Sequence, residues 1–178
     1  MKKILLIIPF CVFFLIILSF MYLLIKNRNP SEIPSALIKK EVPVFETSSL
    51  IKDKDFISKN EFGNQIILVN FFASWCEPCR IEHFYINKLS KKGIKVIGIN
   101  YKDEPKQAIK WLEKLGNPYA KIALDFEGDI AINWGVYGIP ETFIINTESI
   151  IQYRHAGPIT KSEYDDFYKR VLKIKKND

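Results

Sequence analysis

Two cysteines separated by two residues, Cys76 and Cys79, are the side chains of this sequence best suited to chemistry. They follow an apolar stretch with the pattern of a buried strand and stand where a helix should begin. The free N–H groups and the dipole of a helix N-terminus favour a thiolate, so Cys76 is the predicted nucleophile. Cys79, one turn further on, can attack a mixed disulfide formed by Cys76. The spacing therefore predicts a redox-active disulfide, with no other cofactor.

Three other uses of the cysteine pair fit the sequence less well. A zinc site needs four ligands, and the sequence otherwise offers only Cys11, in an apolar run, and the histidines His83 and His155. Covalent haem attachment requires a histidine directly after the second cysteine, where Arg80 stands instead. A purely structural disulfide over so short a loop would stabilise the fold little. The dithiol-exchange interpretation is favoured, and no metal site is predicted.

The elements that must position the cysteines alternate in type. Hydrophobic periodicity predicts a strand, a helix, a strand and a helix at 66–72, 76–89, 94–100 and 104–115. Two short strands, 141–146 and 150–155, are typical of an antiparallel hairpin. A last helix is predicted over 160–173, with Thr160 as N-cap and Glu163 completing a capping box. A parallel βαβ half followed by a ββα half predicts an α/β, thioredoxin-like fold with a central mixed sheet flanked by helices.

The first 25 residues differ from the rest of the chain. The segment from Ile4 to Ile25 is an uncharged run of 22 residues. As a helix it would be roughly 33 Å long, enough to cross the hydrocarbon core of a bilayer. The run exceeds the apolar core of a signal peptide and ends without a small-residue cleavage site, so residues 1–25 are predicted to form an uncleaved signal anchor. Residues 26–40 are predicted to be a linker, and residues 41–178 one domain.

The charge pattern is that of an ordinary solvated surface. Lys and Arg number 26 against 20 Asp and Glu, a net charge of +6, and the two signs are interspersed along the chain. The sequence therefore indicates no nucleic-acid partner. It also contains no feature that predicts an assembly larger than a monomer.

A second group of candidate residues surrounds Pro140. A glycine two residues before this proline marks a tight turn ahead of a predicted core strand. Composition leaves the isomer of the X-Pro bond open, because such bonds are only rarely cis. A thioredoxin-like fold places a cis-proline loop at this point beside the cysteine pair, and a cis bond is expected here. Trp75, Tyr137, Ile139 and Pro140 are predicted to line a substrate groove, with Trp75 covering the edge of the disulfide.

Five segments together resemble a known family. They are 68–83, 98–103, 111–119, 135–143 and 153–157, and the most specific are NYKD at 100–103 and GVYGIPET at 135–142. On these motifs the chain resembles the cytochrome c maturation thioredoxins, the CcmG/DsbE family. The N-terminal anchor also fits that family.

The resemblance implies a single-pass protein of the cytoplasmic (inner) membrane, with its catalytic domain on the periplasmic side. Its partners would be apocytochrome c or a cytochrome c assembly protein, whose haem-binding cysteines it keeps reduced, and a membrane electron donor of the DsbD/CcdA type. Local reduction of this kind is useful only in an oxidising compartment. Three alternatives stay open: a general membrane-anchored extracytoplasmic disulfide reductase, an oxidant of the DsbA type, and a non-catalytic thiol-recognising binding module.

Two carboxylates are candidates for moving a proton at the site. General thioredoxins carry a buried aspartate in the central strand, but here Asn70 stands at that position and cannot accept a proton. The available carboxylates are Glu82, three residues after Cys79, and Glu141, directly after Pro140. Burial near the sulfurs would raise the pKa of either group and let it relay the proton of the resolving thiol. The alternative for both is an exposed surface charge.

Overall fold

The computed structural model describes residues 2–25, 36–51 and 56–178, which fall into two compact units, Met1–Pro30 and Ser31–Asp178. The first unit contains one helix, α1 (Lys2–Ile25), in which the free Cys11 is exposed. Among the residues that the structure describes, no helix meets both the length and the apolar content needed to cross a membrane. The signal anchor stays a prediction, and most of the predicted linker, 26–35, lies outside the described residues.

The second unit is built on a five-stranded mixed sheet. Its strands are β3 (Ile67–Phe72), β4 (Lys95–Tyr101), β5 (Lys121–Asp125), β6 (Glu141–Ile145) and β7 (Ile151–Ala156). Their order across the sheet is β5-β4-β3-β6-β7, in which β3, β4 and β5 are parallel and β6 and β7 are each antiparallel to their neighbours. The predicted parallel pair and C-terminal hairpin are both present.

In the described part of this unit, four α-helices accompany the sheet: α2 (Glu77–Lys91), α3 (Pro105–Leu115), α4 (Asp129–Asn133) and α5 (Tyr164–Asn177). A separate pair of short antiparallel strands, β1 (Glu46–Ser48) and β2 (Phe56–Ser58), precedes β3. Together these elements form a thioredoxin-like α/β fold with a central mixed sheet flanked by helices, as the sequence predicts.

The core lies on both faces of the sheet, and β3 contributes to each. All six residues of β3 are buried. Ile67, Val69 and Phe71 pack on one face with Trp134, which follows α4, whereas Leu68 and Phe72 pack on the other with side chains of α2, α3 and α5. Successive side chains of a strand point to opposite faces, so the apolar residues of β3 must be covered on both sides. This burial holds the C-terminal end of β3, and the cysteines that follow it, in the middle of the fold.

The prediction for the last helix was wrong at its start. The helix begins at Tyr164, and its N-cap residue Glu163 makes no side-chain cap. The N–H and the hydroxyl of Thr160 both donate to one carboxylate oxygen of Glu163, at 3.2 and 2.7 Å. Because the Thr160 hydroxyl is used as a donor to Glu163, the two residues close a turn that precedes the helix, and only the glutamate half of the predicted capping box forms.

Candidate active site

The two cysteines form a disulfide at the start of α2. Cys76 is the N-cap residue, and the Cys79 N–H donates to the Cys76 sulfur at 3.1 Å. Both residues are buried, with 4% of Cys76 and 1% of Cys79 exposed. A backbone donor aimed at the first sulfur, together with the helix N-terminus, favours negative charge on Cys76 when the pair is reduced. The geometry agrees with the prediction that Cys76 is the nucleophile and Cys79 the resolving thiol, and those roles stay predictions.

The loop before β6 lies against the first sulfur. The Ile139–Pro140 peptide bond is cis, which confirms the expectation from the sequence. The carbonyl oxygen of Ile139 is 3.7 Å from the Cys76 sulfur. Pro140 is buried, Ile139 is half-buried, and Tyr137 is 75% exposed. The structure thus brings Ile139 of this loop to the Cys76 sulfur, whereas the substrate-binding roles of Tyr137 and Pro140 stay predictions.

Glu82 lies on α2, one turn beyond Cys79, and is almost fully buried. Its carboxylate accepts hydrogen bonds from the Asn70 side-chain amide at 2.7 Å and from the Ile159 N–H at 3.1 Å. Burial raises the pKa of Glu82 to about 8, and the two hydrogen bonds oppose that rise only in part. A carboxyl group with this pKa exchanges its proton near neutral pH, close to the usual range of a thiol.

Asn70 joins Glu82 to the neighbouring strands. The Tyr119 hydroxyl donates to the side-chain oxygen Oδ1 of Asn70 at 2.7 Å. The side-chain nitrogen Nδ2 of Asn70 therefore faces Glu82 and the Thr142 hydroxyl, which is 3.0 Å away. Burial, and then the charge of Glu82, raise the pKa of Tyr119 well above its ordinary value, so its hydroxyl stays a donor. General thioredoxins carry an aspartate at the position of Asn70. In this protein Asn70 instead donates a hydrogen bond that orients the carboxylate of Glu82, a residue of α2.

Glu141 is also buried, but it is held in an ion pair. Both of its carboxylate oxygens accept from the Arg154 guanidinium, each at 2.7 Å, and one also accepts the Tyr137 N–H at 3.0 Å. The Arg154 guanidinium lies 4.6 Å from the centre of the Tyr137 ring. These contacts tie the loop of Pro140 to β7. A proton relay through Glu141 stays a prediction, and its full set of partners favours Glu82 for that role.

Comparison with known proteins agrees with this geometry. Residues 38–169 match the Redoxin family model. The chain is 41% identical over 170 residues to the thiol:disulfide interchange protein DsbE of Escherichia coli K12, covering 93% of this chain and 92% of the relative. It is 44% identical over 156 residues to DsbE of Yersinia pestis, covering 85% and 83%. The chain belongs to the DsbE family.

Solved structures support the same fold. A secreted thiol-disulfide isomerase from Corynebacterium glutamicum superposes with a TM-score of 0.65 at 20% identity, covering 84% of this chain and 93% of that one. Membership of the DsbE (CcmG) family and of the redoxins, together with the cysteine pair, makes this protein a thiol:disulfide oxidoreductase.

Asp103 positions the approach to the cysteines, and sequence reasoning assigned it no role. Its buried carboxylate accepts the Ser74 N–H at 2.6 Å, the Ser74 hydroxyl at 2.7 Å and the Asn100 amide at 2.9 Å. The next side chain, Trp75, donates its indole N–H to the Lys102 carbonyl at 3.0 Å and is 59% exposed. The end of β4 therefore holds the loop before Cys76. The signal was present in the NYKD motif, which carries both Lys102 and Asp103.

Arg154 was the other residue missed by sequence reasoning. It is buried in β7, and its partner Glu141 begins β6, so the antiparallel pairing of the two strands brings the charges together. A lone arginine in a strand pattern gives no sign of its partner. Only the register, in which Glu141 faces Ala156, places the two side chains within reach.

The two histidines serve packing in this DsbE-family protein. A ring nitrogen of His83 lies 2.8 Å from the Gly116 carbonyl oxygen, and the ring packs edge-on against Trp111 at 4.3 Å. His155 packs against Phe167. Burial lowers the pKa of both histidines. Among the described residues, no three His, Cys, Asp or Glu side chains are grouped so that they could hold a metal ion.

Proposed function

We propose that this protein is a membrane-anchored, extracytoplasmic reductant in cytochrome c maturation, which keeps the haem-binding cysteines of apocytochrome c reduced. One observation carries the proposal: the loop with GVYGIPET, one of the two most family-specific motifs, contacts the redox pair, with the Ile139 carbonyl oxygen 3.7 Å from the Cys76 sulfur. Membership of the DsbE family, whose relatives are named thiol:disulfide interchange proteins, supports the thiol-exchange part of this proposal.

In the proposed reaction the reduced protein gives two electrons to a client disulfide. The Cys76 thiolate attacks one client sulfur, so that a mixed disulfide forms and the other client sulfur leaves as a thiolate. The Cys79 thiolate then attacks the Cys76 sulfur, which releases the second client thiolate and leaves the Cys76–Cys79 disulfide. The Cys79 N–H, 3.1 Å from the Cys76 sulfur, stabilises the first thiolate.

Glu82 is the proposed acceptor of the Cys79 proton. It stands three residues after Cys79 on the same helix, where side chains are neighbours. Its pKa of about 8 lies close to about 8.5 for a free thiol, so that proton transfer between the two groups is nearly balanced. The ionised fraction of Glu82 grows as the pH approaches 8, and resolution of the mixed disulfide should accelerate over that range.

The client is proposed to lie across the cysteine pair in a groove formed by Trp75, Tyr137, Ile139 and Pro140. Trp75 and Tyr137 are large, exposed side chains. Trp75 is anchored by its hydrogen bond to the Lys102 carbonyl, and Tyr137 by the Arg154 guanidinium over its ring. Aromatic side chains held in place supply contact area at low entropic cost. The Ile139 carbonyl, beside the Cys76 sulfur, is placed to meet the backbone of an extended client segment.

Location and partners follow from the same proposal. The uncharged run from Ile4 to Ile25 is proposed as a single-pass anchor in the cytoplasmic membrane, with the catalytic domain on the periplasmic side. A membrane electron donor of the DsbD/CcdA type would reduce the Cys76–Cys79 disulfide after each cycle, and a cytochrome c assembly protein is the alternative direct client. The protein is proposed to act as a monomer and to bind no nucleic acid.

The test is the reduction potential of the full chain in mild detergent, measured against glutathione or dithiothreitol buffers. A potential more negative than about −180 mV, on the reducing side of protein disulfide isomerase, supports a reductant. A value near about −120 mV would identify an oxidant of the DsbA type and end the proposal. A Cys79→Ser variant should then trap an oxidised Cys-x-x-Cys-His peptide of apocytochrome c as a mixed disulfide with Cys76.

The two remaining alternatives are distinguished by measurements of client reduction and client binding. A general disulfide reductase would reduce unrelated protein disulfides as fast as the apocytochrome peptide. A thiol-recognising binding module would retain the client in a Cys76→Ser variant, and its wild-type form would complete few turnovers with dithiothreitol as the electron source.

A further inference from the structure

A shallow depression runs along the outer side of α2, starting one residue after Cys79. Its volume is about 740 Å³. Residues of α2 from Arg80 to Lys91 form one wall, and residues 115–117, at the end of α3, form the other. The proposed client groove around Tyr137 and Pro140 does not include this surface. It lies beside the redox pair, on the flank of the same helix.

The depression carries a single sign of charge. Arg80, Lys88 and Lys91 line it and are exposed, and no carboxylate is among the described residues that line it. Phe84 stands between the cations with 66% of its surface exposed. A clustered positive surface with an exposed aromatic ring is complementary to a segment that carries carboxylates and an apolar side chain.

Glu77 and Tyr164 contact two of these cations but leave the surface positively charged. Glu77, outside the depression, lies 3.4 Å from the Arg80 guanidinium and is itself 77% exposed, so it offsets Arg80 only weakly. The Lys88 ammonium lies 4.4 Å from the centre of the Tyr164 ring, a contact that leaves its charge in place and restricts its side chain.

The length of the surface sets the size of the ligand. From Arg80 to Lys91 the helix rises roughly 16 Å, at about 1.5 Å per residue. An extended chain advances about 3.3 Å per residue, so about five residues cover the depression. Arg80 lies one helical turn beyond Cys76, which places one end of such a segment next to the nucleophile.

We propose that this face of α2 binds an acidic segment of about five residues in the partner protein whose disulfide reacts with Cys76. The inference rests on the thiol exchange proposed above and adds a recognition element to it. The acidic segment holds the client by charge, its apolar side chain covers Phe84, and the adjoining cysteines are delivered to the redox pair. Recognition of this kind raises the rate of encounter, and salt weakens it.

The experiment compares two synthetic peptides with the reduced full chain in mild detergent. Both contain the same Cys-Ala-Ala-Cys disulfide and a short Gly-Ser linker; one ends in Glu-Glu-Phe-Glu-Glu and the other in Gln-Gln-Phe-Gln-Gln. At low salt we expect the second-order rate constant for disulfide reduction to be about tenfold higher for the acidic peptide, as about three exposed ion pairs allow. In molar salt, where the Debye length is about 3 Å, the difference should fall to about twofold.

A charge-reversal variant, Lys88→Glu with Lys91→Glu, should abolish the preference, so that the ratio of the two rate constants, acidic peptide to glutamine peptide, falls to about one or below. The matched control, Lys175→Glu with Lys176→Glu, makes the same change of net charge on the exposed end of α5 and should keep the preference. Equal rates for the two peptides with the wild type, or a preference that the α2 reversal leaves intact, would overturn the inference alone. If neither peptide is reduced, the proposed thiol exchange itself fails.

Discussion

Replacing Glu82 with glutamine should remove a large part of the pH dependence of the stability of the oxidised protein. The pKa of Glu82 is raised from 4.5 to about 8 in the folded protein, so the folded state holds this proton more tightly than the unfolded state. The stabilisation of the folded state that protonated Glu82 contributes is therefore fully present below pH 4.5 and is lost as the pH rises to about 8. At about 1.36 kcal/mol per pH unit, the interval between the two pKa values, 4.5 and about 8, corresponds to a loss of about 5 kcal/mol in the free energy of unfolding.

The assay is urea unfolding of the oxidised full chain in mild detergent, followed by the fluorescence of the buried Trp134, at pH values from about 5 to about 8. The glutamine introduced by Glu82→Gln would be neutral throughout, and its amide nitrogen would face the Ile159 N–H or the Asn70 amide, both of which are donors to the carboxylate. The Glu82→Gln variant should therefore be less stable than the wild type at about pH 5. The difference should shrink by about 1.4 kcal/mol for each pH unit and vanish or reverse near about pH 8.

A matched control is Glu127→Gln, which changes an exposed glutamate and should follow the wild type at every pH. A constant difference between wild type and Glu82→Gln across this range would refute the reasoning, because Glu82 would then titrate equally in the folded and unfolded states. The kinetic counterpart is resolution of the mixed disulfide, whose rate should rise up to about pH 8 in the wild type and lose that component in Glu82→Gln.

Three further substitutions test contacts that hold the site. Arg154→Met should lower the free energy of unfolding by about 3–5 kcal/mol, because Glu141 keeps a buried charge without its partner; an unchanged urea midpoint would contradict this. Asp103→Ala should lower the free energy of unfolding by about 2–3 kcal/mol and slow client reduction, since two hydrogen bonds from Ser74 and one from Asn100 are lost. Asp103→Asn should restore part of the stability and part of the rate. Gly98→Ala should cost about 1–3 kcal/mol by thermal unfolding, because a Cβ there would lie 2.8 Å from the Phe72 ring; a gain in stability would show that the ring moves freely.

Much of the chemistry was readable from the sequence because it depends on short spacings. Two cysteines with two intervening residues, placed between a buried strand and a helix, determine which sulfur stands at the helix N-terminus. The strand 66–72 and the C-terminal hairpin were predictable because their apolar, β-branched and aromatic residues form short runs bounded by turn signals. The cis bond before Pro140 followed from the fold type, since the X-Pro pair alone favours trans.

Elements without a local pattern were missed. β5 (Lys121–Asp125) and the short helix α4 follow one another within a few residues, and neither is long enough to show a clear period. They are stabilised by their neighbours, as when the Asp125 carboxylate accepts the N–H groups of Ile130 and Ala131. The start of α5 was misplaced because the same Thr160 and Glu163 pair can either cap a helix or close a turn before it.

The sequence by itself determined the reactive pair, the order of its two sulfurs and the class of fold. Only the tertiary structure decided the surroundings of the two candidate carboxylates. Glu82 and Glu141 are both buried, but β7 brings Arg154 to Glu141, whereas the donors to Glu82, the Asn70 amide and the Ile159 N–H, are neutral. Burial therefore raises the pKa of Glu82, and its neutral hydrogen-bond donors oppose that rise only in part. These surroundings are set by residues far apart in the chain, which the local sequence does not reveal.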